Sequence, residues 1–165
     1  MKKLLCILSC GLLLLATGCK KEEPTPDPQP QPQPEQTLAA DVARPSWAAS
    51  DEYDYTSSMT AVISINLLDK YPEAAKDFVL NDNDLMAAFA GEECLGVAEQ
   101  IDGLFYLYIA GPKEQESSVS VSLRYYSAHY KNLFVAADAF TFVNDAAQGT
   151  VNAPYVPAFV VAESK

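Results

Sequence analysis

Hydrophobic and polar positions alternate most regularly between Val119 and Tyr126, where Val119, Val121, Leu123 and Tyr125 interleave with Ser120, Ser122, Arg124 and Tyr126. A period of two puts successive side chains on opposite faces of a strand, one face for a core and one for solvent. Denser apolar runs precede it. Met59 to Asn66 is short and β-branched, and Leu85 to Ala90 and Cys94 to Glu99 are separated by Gly91-Glu92-Glu93, which suggests a hairpin. Leu104 to Ala110 follows Asp102-Gly103, a dipeptide that readily takes the positive φ angles of a two-residue hairpin turn. Within that run Phe105, Leu107 and Ile109 share one face, and Tyr106 and Tyr108 share the other. Leu133 to Ala136 and Phe140 to Val143 are further short strands. Pro154 and Pro157 flank Tyr155 and confine any last strand there to a sheet edge, because proline donates no ladder hydrogen bond. One helical turn or two is expected over Tyr71 to Phe78, with Pro72 at the first position. About seven or eight short strands without long helices predict an all-β fold: a single antiparallel β-sandwich, immunoglobulin-like or jelly-roll-like, with a barrel as the alternative.

The N-terminal third has a different texture. Lys2 and Lys3 precede an apolar run from Leu4 to Leu15, and Ala16-Thr17-Gly18-Cys19 closes it with small residues before a cysteine. Twelve apolar residues fall short of the roughly 20 that span a bilayer as a helix, so the run reads as a secretory signal. With its closing cysteine the segment resembles a bacterial lipoprotein signal, which implies that Cys19 is lipidated and becomes the first mature residue. Ala16 stands where such signals usually carry a larger aliphatic residue. Two or three acyl chains would anchor the mature chain stably, at about 0.8 kcal/mol per buried methylene. Lys20-Lys21-Glu22-Glu23 then resembles the export signal with which Bacteroidota place lipoproteins on the outer face of the outer membrane. The resemblance implies a lipid-anchored protein of the outer membrane that faces the cell exterior.

Pro24 to Gln36 carries proline at every second position from Pro24 to Pro34. Each proline removes a backbone donor and restricts its predecessor, which favours polyproline II over helix or sheet. At about 3.1 Å per residue, such a linker is a semi-rigid stalk of roughly 40 Å. The expected organisation is a signal peptide over 1–18, a lipidated cysteine with a Pro/Gln-rich linker over 19–36, and one domain over 37–165, a size that supports a single core.

Inside that domain, Asp84-Leu85-Met86-Ala87-Ala88-Phe89-Ala90-Gly91-Glu92-Glu93-Cys94-Leu95-Gly96-Val97-Ala98 resembles a motif of Bacteroidota surface lipoproteins and secreted multidomain proteins, Asp-x-x-x-Ala-Phe-x-x-x-Glu-Cys-x-Gly-x-Ala. Aromatic-rich strands follow in that family, matched by Leu104 to Ile109 and Val119 to Tyr126, and a closing segment is matched by Phe142 to Pro154. Leu95 departs from the arginine common there. The family is largely uncharacterised; the resemblance implies a β-sandwich and a surface location more than it implies an activity.

Charge narrows the partners. Without residues 1–18 the chain keeps nine lysines and arginines against 22 acids, a net charge of −13. Phosphate backbones repel such a surface, so nucleic acid is not an expected partner. Of four cysteines, Cys6 and Cys10 leave with the signal and Cys19 takes lipid, so the domain holds only Cys94, read as a small buried hydrophobe. His129 is the sole histidine, in Ser127-Ala128-His129-Tyr130, which reads as a turn between strands, and no nucleophile-elbow pattern accompanies it. No enzyme is expected, and no cofactor. Calcium is the one metal for which ligands cluster: Asp82 and Asp84 in Asn81-Asp82-Asn83-Asp84, with Glu92 and Glu93 conceivable across the hairpin. The EF-hand spacing fails, and such a cluster more often builds a turn through side-chain to backbone hydrogen bonds.

Aromatic residues carry the functional expectation. Planar rings offer apolar area to the C–H faces of sugars at low entropic cost. Trp47, Tyr106 and Tyr108 are the first candidates for a ligand-binding surface, with Tyr53, Tyr55, Tyr126 and Tyr130 behind them. The expected role is a non-catalytic binding module for glycans or a surface protein partner. The alternative is a structural or accessory subunit of a cell-surface assembly, joined through a sheet edge.

Overall fold

The computed structural model describes residues 37–50, 53–112 and 118–163, with the backbone alone at 53–56 and 112. All belong to the unit Pro34–Lys165; the signal segment, Cys19 and the whole Pro/Gln linker over 19–36 lie outside the described residues. The strands are β1 (Tyr53–Ile63), β2 (Leu85–Ala90), β3 (Glu93–Val97), β4 (Glu99–Ile101), β5 (Leu104–Pro112), β6 (Ser120–Ser127), β7 (Asn132–Ala136), β8 (Phe140–Thr141), β9 (Ala147–Gln148) and β10 (Phe159–Val161). They form two packed sheets. Sheet 1 runs β4-β5-β1-β9; sheet 2 runs β10-β7-β6-β2-β3, with β8 paired to β6. The fold is an all-β sandwich and not a closed barrel. All pairings are antiparallel except β1 with β9, which run parallel.

Alternation builds the core as expected. Met59, Ala61 and Ile63 of β1 and Phe105, Leu107 and Ile109 of β5 face Met86 and Ala88 of β2, Val121, Leu123 and Tyr125 of β6, and Phe134 and Phe159. The Tyr125 ring lies at the centre, with its centroid 5.7–5.9 Å from those of Phe105, Phe134 and Phe159. Burying such rings is the main stabilising contribution available here, about 1.5–3 kcal/mol each.

The expected run Cys94 to Glu99 is two strands. Its first part pairs with β2 in sheet 2; after Ala98 it pairs with β5 in sheet 1. At this crossing the sheets approach so closely that a Cβ on Gly96 would overlap the carbonyl oxygen of Tyr108. Only glycine fits there. The segment Tyr71 to Phe78 forms turns rather than a helix: Ala75 N donates to Tyr71 O (2.8 Å) and Phe78 N to Ala75 O (2.9 Å). Tertiary anchoring decides this, since Tyr71 and Ala75 are buried pegs and Tyr71 Oη accepts from Val161 N at 3.0 Å. Tyr155 makes only an isolated bridge to Ile63, and the last strand, β10, lies beyond Pro157 at the edge of sheet 2.

Residues 37–50 form no strand, yet they cross the outer face of sheet 2. Leu38 is buried in the main core; Ala40 N and Val42 N donate to Tyr130 O and Lys131 O, both at 2.9 Å, and Ser50 N donates to Cys94 O at 2.7 Å. These contacts lead from the β6–β7 turn to the start of β3, so the segment is a strap along the sheet.

Candidate functional site

The two outer faces of the sandwich differ, and the difference locates the candidate site. On sheet 2, Ala87, Phe89 and Cys94 form a second apolar cluster beneath the strap, packed against Trp47 and Val97. Trp47 meets the Phe89 ring edge-on at 5.5 Å between centroids. The Arg124 guanidinium lies 4.0 Å from the Phe89 centroid and donates to Glu92 Oε2 (3.0 Å) and Gly91 O (2.8 Å). Trp47 is therefore a half-buried peg that holds the strap to the sheet. Burial raises the Cys94 thiol above its ordinary pKa, and Cys94 Sγ lies 3.6 Å from Gly96 O, so it behaves as the small hydrophobe expected.

Sheet 1 turns a different surface outward. Tyr108 is 62% exposed and Ile101 43%, beside the half-buried Tyr106, Leu104, Val62 and Thr60. Register places them in rows: Val62, Tyr106 and Glu99 stand opposite one another across β1, β5 and β4, with Thr60 opposite Tyr108 on the next row. Leu104 and Ile101 pair across the Asp102-Gly103 turn, where φ is 51° and 79°. Cross-strand neighbours on one face sit about 4.5–5.5 Å apart at Cβ, so each row is contiguous.

The structure thus brings Tyr106 and Tyr108 together and leaves Trp47 on the opposite face. Sequence spacing could pair two rings on one strand but could not assign Trp47, whose position depends on the strap. The partners Glu99, Ile101, Leu104, Thr60 and Val62 went unnamed in the sequence, although the alternation of β5 continued back through its turn would have pointed to Leu104 and Ile101. Tyr53 and Tyr55 lie on β1 where side chains are outside the described residues. Tyr126 and Tyr130 are buried packing residues: Tyr126 Oη donates to Val42 O (3.3 Å), and Phe78 stacks on Tyr130 at 5.9 Å. His129 is exposed in the β6–β7 turn.

The acidic candidates are arranged as a turn. Asn83 N donates to Asn81 Oδ1 (2.9 Å) and Asp84 N to Asn81 O (2.9 Å). Asp84 is 5% exposed, and both carboxylate oxygens are engaged: Oδ2 accepts from Tyr125 Oη (2.7 Å) and Asn81 N (3.0 Å), Oδ1 from Ala128 N (2.7 Å). Asp82 is exposed and lines a shallow hollow with Gln100, Asp102 and Gly103. Glu92 and Glu93 do not approach this cluster. They follow β2 while Asp84 precedes it, and six strand residues separate the two ends by roughly 20 Å. Among the described residues no three His, Cys, Asp or Glu side chains gather in a metal-like group.

Compared with known proteins, the chain matches no protein-family model, no curated protein and no solved structure.

Proposed function

We propose that this chain is an outer-membrane lipoprotein, anchored through Cys19 and facing the cell exterior, whose sandwich is a non-catalytic module that binds glycans on the outer face of sheet 1. The observation that carries the reading is the asymmetry of the two faces. Sheet 2 is strapped, whereas sheet 1 turns Tyr106 and Tyr108 outward on a contiguous surface with Val62, Leu104 and Ile101. An exposed and a half-buried ring held side by side on one strand suit sugar stacking, because little side-chain freedom is lost on binding. The signal, the lipobox-like cysteine and the proline-rich linker support display at a surface.

The alternative, assembly through a sheet edge, is less favoured by the strands themselves. The edge strands β4, β9 and β10 have three, two and three residues, a short-edge device that limits strand addition, and the fourth edge, the five-residue β3, is met by the strap, where Ser50 N donates to Cys94 O.

A glycan array and a polysaccharide panel probed with the mature protein, with and without calcium, test the reading. Binding should fall at least tenfold in Tyr108→Ala and in Tyr106→Ala, with unfolding midpoints unchanged for the exposed Tyr108. Binding that survives both substitutions would move the site elsewhere; capture of a surface protein but no glycan would favour the protein-partner version. Acyl labelling lost in Cys19→Ala checks the anchor.

A further inference from the structure

Among the described residues, no lysine or arginine lies on sheet 1. On β4, β5, β9 and the turns adjoining them, every charged residue with a described side chain is acidic: Glu99, Asp102 and Asp145. The described cations lie elsewhere: Arg44 in the strap, Lys70 and Lys76 in the β1–β2 connection, and Arg124 and Lys131 on sheet 2 and its β6–β7 turn. Arg124 is also committed, to Glu92 and Gly91. The aromatic face therefore has acceptor carboxylates and hydroxyls around it, and no described cation.

Glu99 is the best placed of these. It registers directly opposite Tyr106, on the row that continues to Val62, and projects to the same face as the exposed Ile101. A carboxylate is an acceptor only, with lone pairs enough for two hydroxyl donors. A ring stacked on Tyr106 would present its edge hydroxyls to Glu99, and hydrogen bonds to a charged acceptor are the stronger kind. A sugar bearing a carboxylate or sulfate in that place would meet like charge, with no compensating cation on sheet 1 among the described residues.

We infer that the outer face of sheet 1 takes a polysaccharide of uncharged sugars, with Tyr106 and Tyr108 beneath the ring faces and Glu99 accepting hydroxyl protons while excluding acidic sugars. The inference rests on the glycan reading above and adds to it the class of sugar and the residue that selects it. An uncharged ligand also suits a strongly acidic protein: it feels no net repulsion, and its affinity is nearly independent of salt.

The test titrates the mature protein with a neutral glucan, a neutral mannan and polygalacturonate at 20 and 500 mM NaCl, by affinity electrophoresis and calorimetry. A neutral polymer should bind with less than a twofold change across that salt range, and polygalacturonate should not bind at low salt. Glu99→Gln, which keeps an acceptor but removes its charge, should weaken the neutral polymer about threefold to tenfold, the difference between a charged and a neutral acceptor. Glu99→Lys should in addition admit polygalacturonate at 20 mM NaCl, with the unfolding midpoint of each variant matching the parent. Polygalacturonate bound by the parent protein as tightly as the neutral polymers, or neutral binding indifferent to Glu99→Gln, overturns the selectivity and leaves the glycan reading standing. Failure of all three polymers and of a wider neutral panel overturns the glycan reading itself.

Discussion

Removing the Asp84 carboxylate probes a buried acidic side chain that ties the β1–β2 connection to the core. Its oxygens accept from Tyr125 Oη at 2.7 Å, Ala128 N at 2.7 Å and Asn81 N at 3.0 Å. Each hydrogen bond to a charged group contributes about 1.5–3 kcal/mol, but water can reach the two part-buried amides once the carboxylate is gone. The Tyr125 hydroxyl, fully buried among Phe105, Phe134 and Phe159, is out of reach of water and would be left with the Ser127 side chain alone. Asp84→Ala is therefore expected to cost about 3–5 kcal/mol, a large share of the stability of a domain that has about 5–15 kcal/mol in all. Tyr125→Phe removes the hydroxyl along with the bond and should cost about 2 kcal/mol. In the double variant the hydroxyl is already absent, so the two losses should overlap by about 1.5–2 kcal/mol. Urea unfolding followed by circular dichroism and tryptophan fluorescence gives all four corners of the cycle. Costs that add to within about 0.5 kcal/mol, or an Asp84→Ala cost below about 1 kcal/mol, would refute the reasoning, since contacting residues must couple.

Three further outcomes follow from the same geometry. Burial first, then the adjacent Asp84 carboxylate, hold the Tyr125 hydroxyl far above the usual tyrosine pKa. The unfolded chain releases that proton near pH 10 and the folded chain keeps it, so stability is complete below about pH 10 and falls by up to 1.4 kcal/mol per unit above it. Urea midpoints between pH 8 and 11.5 should show this slope reduced in Tyr125→Phe; an identical slope in both proteins would contradict the assignment. Trp47→Ala removes the peg over Phe89 and should cost about 1.5–3 kcal/mol while exposing Cys94 to thiol reagents at least tenfold faster in native buffer; unchanged labelling would show that the strap does not shield the thiol. Gly96→Ala should destabilise by more than about 3 kcal/mol, because the new Cβ meets Tyr108 backbone rather than a yielding side chain; a folded protein with an unshifted thermal midpoint would show that the sheets can part there cheaply.

Local pattern alone determined much of this protein. The limits of β2 are set by the Asn81–Asp84 turn before it and by Gly91, with φ of 62°, after it. The inward set Phe105, Leu107 and Ile109, and with it the outward Tyr106 and Tyr108, follows from the period of two and the Asp102-Gly103 turn that fixes register. Those features depend on neighbours within a few residues, so sequence displays them. Long-range contacts decided the rest. The break of one run into β3 and β4 depends on Gly96 meeting Tyr108, and the fate of Tyr71 to Phe78 on a hydrogen bond from Val161, 90 residues away. Asp84 became a structural acceptor because Tyr125 and Ala128 reach it from 41 and 44 residues along the chain. Trp47 resembled an exposed aromatic until the strap laid it on Phe89. A side chain's face within its own strand is a local property; which element covers that face is settled only when the sheets pack.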